Sequence, residues 1–215
     1  MKKKFAVLMS LCFIYLLCSC GDVKDTGTPL GETSVSIESL IGSTEEISYE
    51  SLLDEEMFQF SFENYTDSEN PLMLESGTYE DAVVVKPFKS VLVNDTEVVA
   101  PLNVWQFPVV HDDEYIGFIN YDMRYPEYGN SNFYGGEGIA SNLNDALKKG
   151  SIAVFDTSNG TYGIYEDNTT VNITDGILIV ERTPYDGTLT FDDINQGYNL
   201  ITSDSVKDII YPATE

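Results

Sequence analysis

Cysteine is scarce in this sequence and confined to one end: Cys12, Cys18 and Cys20 all fall within the first twenty residues. No disulfide can staple the rest of the chain, which must therefore be stable through packing alone. Histidine occurs once, as His111, so every Cys/His zinc pattern is excluded. No thiol and no marked Ser/His pair is left for nucleophilic catalysis. Basic residues are few as well: Lys and Arg number 11 against 36 acids, a formal charge of -25. That balance excludes nucleic-acid recognition, which depends on Lys and Arg at phosphates. It also disfavours direct adsorption of the domain to anionic lipid. No repeat of fixed period is present, and no run is apolar for the roughly 18 residues that a membrane-spanning helix needs.

What the N-terminus does contain is a cationic start, Met1-Lys2-Lys3-Lys4, followed by an apolar run from Phe5 to Leu17 and then Ser19-Cys20-Gly21-Asp22. This order reads as a secretory signal, too short to remain as a spanning helix. Leu17-Cys18-Ser19-Cys20 resembles the bacterial lipobox, with Leu three positions before the modified Cys and small residues between. Cys18 departs from the usual Ala, Ser or Thr but is still small. The resemblance implies a bacterial lipoprotein: residues 1–19 are removed, the Cys20 thiol receives a diacylglycerol, and the new amine is acylated, palmitate being the usual kind of chain. Several chains are needed, because a single acyl chain holds a protein to a membrane only marginally. The implied location is the cell membrane or outer membrane, facing away from the cytoplasm. Lys2, Lys3 and Lys4 would leave with the signal, taking the formal charge from -25 to -28. The acids are scattered rather than set at ligand spacing, which favours solubility over calcium binding or a cationic partner.

Residues 20–50 are rich in Gly, Ser, Thr, Asp and Glu and too poor in apolar residues to bury, as expected of a flexible acidic tether. Residues 51–215 are long enough for one globular domain. Phe58, Phe60 and Phe62 alternate with Gln59, Ser61 and Glu63, which predicts a strand with one buried face. Further strands are expected at 83–85, 91–93 and 96–99. A hairpin runs from Trp105 through Val110, turns at His111-Asp112-Asp113 and returns over Tyr115 to Tyr121. Pro108 has no amide hydrogen and belongs at an edge or bulge. A helix is predicted over about 139–149, where Ile139, Leu143, Ala146 and Leu147 share a face, Lys148 and Lys149 suit the negative end and Gly150 can close it. A second hairpin, 152–155 with 161–165, follows. Strands at 170–173 and 176–180 come next, then short helical turns near Asp192-Asp193 and from Ser203 through Ile210. The sum is α+β and strand-rich, an antiparallel sheet with one amphipathic helix packed on one face. The order hairpin, loop, helix, hairpin from Gln106 to Tyr165 resembles prodomain-like modules of secreted bacterial peptidases, which implies a domain that binds and restrains another protein.

No cofactor or metal is expected. Asp156-Thr157-Ser158-Asn159-Gly160 puts Gly fifth instead of sixth and Asp167 in place of the bidentate Glu of a calcium loop; it reads as a hairpin turn. A count from Asp192 places Gly197 correctly but loses ligands at Ile194 and Ser203. Asp112, Asp113 and Glu114 read as solvated turn charge, and His111 has no marked nucleophile to serve as base. Tyr121, Tyr125, Tyr128, Phe133 and Tyr134 lie in a stretch broken by Pro126, Gly129, Gly135, Gly136 and Gly138. Several are expected to be loop-borne rings, which either fold back to cover the sheet edge or stack on a sugar or grip a peptide. The favoured function is a surface-tethered, non-enzymatic binding domain for a glycan or protein ligand. Two alternatives stay open. One is a carboxylate-dependent envelope hydrolase, which requires an acid with a raised pKa beside a cleft. The other is an inhibitor-like or chaperone-like partner of a secreted peptidase, acting through an exposed sheet edge.

Overall fold

The computed structural model describes residues 48–67, 77–94, 97–124, 131–157, 160–174 and 187–212, all within one compact unit, Val35–Glu215. Two helices open it, α1 (Tyr49–Leu53) and α2 (Glu56–Thr66). Strands β1 (Val83–Val85), β2 (Phe88–Asn94), β3 (Glu97–His111), β4 (Glu114–Asp122) and β5 (Ser131–Gly135) follow, then helix α3 (Glu137–Leu147). Strands β6 (Ile152–Thr157), β7 (Gly160–Tyr165) and β8 (Thr170–Asn172) lead to a one-turn helix α4 (Phe191–Ile194) and β9 (Leu200–Ile201). A 3-10 helix (Ser203–Lys207) and β10 (Ile209–Tyr211) complete the order. The fold is strand-rich α+β, as expected, with ten strands among the described residues joined in one sheet.

Strand β3 is the spine. Along one edge it pairs antiparallel with β4, from Val104↔Asp122 to His111↔Glu114. Asp112 and Asp113 make the two-residue turn with φ of 51° and 61°, the left-handed pair whose twist matches a hairpin and which short polar side chains tolerate. β3 also pairs with β2 (Phe88↔Gln106) and, further on, with β1 (Val84↔Val109). Pro108 falls between those two partners, beside a bulge at Val109/Val110, where a missing amide hydrogen costs no ladder bond. β1 continues to β10 and β2 continues to β6, then β7 and β8. The β2–β6 pairing, Val91↔Phe155 and Leu92↔Asp156, is parallel, so the sheet is mixed rather than purely antiparallel.

Alternation places the core on both faces. Ala140, Leu143 and Ala146 of α3 pack with Val85, Phe88, Val110, Phe118, Ile152 and Val154. Leu52, Phe58, Phe62 and Tyr65 of α1 and α2 pack with Val84, Trp105, Phe107, Val109, Ile119 and Tyr121. Phe191 and Ile194 of α4 cover Val91, Val93, Ala153 and Phe155. Each fully buried apolar side chain contributes about 1.5–3 kcal/mol. The expectation of one helix on one face is thus corrected: α3 lies against one cluster, and the remaining helices close two others.

Three local expectations are corrected too. Phe58, Phe60 and Phe62 are helical, not a strand. Phe58, Ser61, Phe62 and Tyr65 are buried, a spacing of three and four that forms one helix face, while Phe60 is 38% exposed on the other side. Tyr49 and Glu50, assigned to the tether, belong to α1, whose N-cap Ser48 accepts the Glu50 N–H. Ile209 and Ile210 extend as β10 rather than continuing a helical turn. The strand expected at 176–180 lies outside the described residues.

Candidate functional site

The bend between β1 and β2, at Lys86-Pro87, is where their outer partners part: β10 stays with β1 and β6 with β2. A cleft of about 480 Å³ opens there, within the ~300–1,000 Å³ typical of small-ligand pockets. Its aromatic lining is Tyr49, Phe88, Trp105 and Tyr198, and its polar lining includes Lys86, Gln196, Ser205 and Asp208. Trp105 is held between two neighbours. Tyr49 meets it edge-on at 5.5 Å, and the buried ammonium of Lys89, its cross-strand partner, lies 4.1 Å from the ring centroid, a cation–π contact worth about 0.5–2 kcal/mol.

The wall carrying Tyr198 is fixed by Asn199, which is fully buried and fully bonded. Its Nδ2 donates to the Val154 carbonyl at 2.9 Å and the Ile194 carbonyl at 3.0 Å, and its Oδ1 accepts the Gln196 N–H at 2.8 Å. Gly197 takes the left-handed conformation (φ 81°) that turns this loop. On the cleft side the backbone is occupied: Lys86 N–H donates to the Asp208 carbonyl at 2.8 Å and Lys89 N–H to the Tyr198 carbonyl at 3.2 Å. Tyr115 also lines the cleft. It is 3% exposed, its hydroxyl is enclosed without a hydrogen-bond partner, and desolvation, helped by the negative charge of Asp208, pushes its pKa up.

No protein-family model, curated protein or solved structure matches this chain. Function must be argued from the cleft itself.

The aromatic set expected from sequence does not assemble there. Tyr121 is fully buried in the core beside Phe58 and Phe107, so its ring cannot meet a ligand. Phe133 and Tyr134 are on strand β5, opposite Asn120 and Ile119, rather than in a loop. Tyr125 and Tyr128 lie outside the described residues. The rings that do line the cleft come from α1, β2, β3, β4 and the loop before β9, so no local motif announces them; the Trp105–Pro108 stretch is the one readable sign, through the proline.

Elsewhere, His111 packs at a tilt against Tyr79 with centroids 4.8 Å apart and reaches the exposed Asp112 carboxylate at 3.3 Å, away from the cleft lining. Among the described residues no group of three or more His, Cys, Asp or Glu is arranged to hold a metal. Among the described residues one acid, Asp156, has a raised pKa. Asp156 keeps part of its surface in water, but burial of the carboxyl raises its pKa against the lowering effect of the Ser90 and Thr161 hydroxyls and the charge of Arg124. It accepts a bond from Thr161 and does not line the cleft.

Proposed function

We propose that this chain is a lipid-anchored protein of the bacterial cell envelope that binds an extracellular ligand, glycan or protein, in the cleft around Trp105, without chemistry on it. The cleft carries the reading: five aromatic side chains and a few polar groups converge at the place where the sheet divides, the usual composition of a binding pocket. Lipidation at Cys20 is supported by the lipobox-like Leu17-Cys18-Ser19-Cys20 and the cationic, apolar segment before it. A formal charge of -28 after cleavage suits a domain kept soluble and clear of anionic headgroups, held by acyl chains rather than by its own surface.

Intact mass of the protein extracted from membranes tests the anchor: an N-terminal Cys20 carrying acyl chains is expected, and Cys20→Ala should appear in the medium or soluble fraction without lipid. Lipid on the Cys20→Ala protein would refute the site. For the cleft, envelope extract should change the emission of Trp105, the only tryptophan in the chain, and Tyr198→Ala should abolish that change. An equal response from both proteins would place the ligand elsewhere.

A further inference from the structure

The polar groups of the cleft say more about the ligand than its size does. Lys86 only donates and Asp208 only accepts, while Gln196, Ser205 and Tyr115 can do either. The two formal charges cancel, so no ionic ligand is selected. An anion would meet one lysine on a strongly acidic protein, and a cationic peptide would meet Lys86 at the same opening. A peptide adding as a strand would need free backbone groups. Here the Lys86 and Lys89 N–H groups are already bonded within the protein, and Pro108 has none to offer. A hydroxyl, donor and acceptor at once, satisfies each of these side chains.

The rings agree with this. Tyr198 is 39% exposed at the tip of the Gly197 turn, whereas Trp105 is 9% exposed, with Lys89 over its ring, so Tyr198 is the ring that offers a face. The negative face of an aromatic ring attracts the weakly positive C–H hydrogens of a flat aliphatic face, and a pyranose has such a face with hydroxyls around its rim. The enclosed Tyr115 hydroxyl, next to Asp208 and without a partner, is an independent sign. A buried O–H left unbonded is a standing cost to the fold, and a ligand oxygen entering beside Asp208 removes it.

Resting on the reading of the cleft as the binding site, we propose that its ligand is a neutral carbohydrate chain, stacked on Tyr198 and accepting a hydrogen bond from the Tyr115 hydroxyl. The full mature chain, in detergent, would be titrated with cellotetraose, maltotetraose, chitotetraose and mannotetraose by calorimetry and Trp105 emission. At least one should bind with a Kd of about 1 mM or tighter, equivalent to roughly -4 kcal/mol. Tyr198→Ala should weaken it about tenfold or more, the loss of one stacked ring. Tyr115→Phe should weaken it about 3- to 10-fold, one neutral hydrogen bond, with an unchanged or higher Tm, because the unpaired O–H is gone. A merely structural role would shift the Tm and leave the Kd alone. Silence from all four tetrasaccharides, or binding unaffected by either substitution, overturns the proposal. In a parallel arm, a Tyr198-dependent Trp105 response to deglycosylated envelope proteins, with none to the sugars, would overturn the carbohydrate while keeping the binding site. Silence in both arms would overturn both.

Discussion

The side-chain amide of Asn144 stands in for a neighbouring strand at Tyr115. Its Oδ1 accepts the Tyr115 N–H at 3.0 Å, and its Nδ2 donates to the Tyr115 carbonyl at 2.8 Å. β5 accompanies β4 only over Phe118 to Asp122, so the backbone before it finds its partner in helix α3. Asn144→Ala removes both bonds, at a cost of about 1–3 kcal/mol and a Tm lower by roughly 2–12 °C. A melting curve superimposable on the wild type would show the clamp to be dispensable.

Asp156 makes stability depend on pH in a direction opposite to an ion-paired carboxylate. Its folded pKa lies above the unfolded value of 3.8, so the native state holds the proton more tightly. The resulting cost is absent below about pH 3.8, grows as pH rises through the folded pKa, and is constant above it. Asp156→Asn keeps the shape and an oxygen for Thr161 but cannot ionise. It should be more stable than wild type at pH 7 and lose the advantage towards pH 3, as read from urea midpoints. An equal difference at both pH values would contradict the assignment.

The two nearby phenylalanines of α2 separate helix from strand. Phe58 is fully buried against Phe107, with centroids 5.0 Å apart, whereas Phe60 is exposed. Phe58→Ala should cost about 3–5 kcal/mol, and Phe60→Ala no more than about 0.5 kcal/mol. Equal losses in denaturant melts would instead support alternation along a strand.

Gly163 leaves room for nothing larger. A Cβ there would lie 2.8 Å from Ile152 Cδ1 and 3.2 Å from Val171 Cγ1, where β7 passes between β6 and β8. Gly163→Ala should destabilise by about 1–3 kcal/mol. Adding Ile152→Val, which removes the nearest methyl, should recover part of that loss, so the double mutant is more stable than the sum of the singles predicts. Additive values would mean that the backbone, not the Ile152 side chain, absorbs the strain.

Most strands and both hairpins were readable because their signals are local. Asp112-Asp113 between two apolar runs and the β-branched stretches at Val83-Val84-Val85 and Val91-Leu92-Val93 each specify structure within a few residues. Helix α3 was placed two residues late, since the left-handed N-cap Gly136 carries no side chain to announce a start. Phe58 and Phe62 satisfy periods of two and four equally well, and only Ser61 and Tyr65 settle the choice. The cleft was out of reach for a different reason. Tyr49, Lys86, Trp105, Tyr198 and Asp208 meet only because β1 and β2 share β3 while their other neighbours diverge, a property of topology that no spacing encodes.

β10 supports one wall of that cleft on little ladder. Among the described strands it pairs only with β1, at Val84↔Tyr211 and Val85↔Ile209, residues from distant parts of the chain, and Ile209 is 44% exposed. Beyond that ladder the segment rests on Tyr211 against Phe58 and Phe62, so its free energy of local unfolding should lie below that of the doubly paired β3 or β6. Its amide protons should therefore trade with solvent early in hydrogen exchange, and any molecule bridging Asp208 and Tyr198 would slow them in proportion to its occupancy. Exchange in β10 should thus act as a clock for the cleft, running fast when it is empty and slow when it is filled.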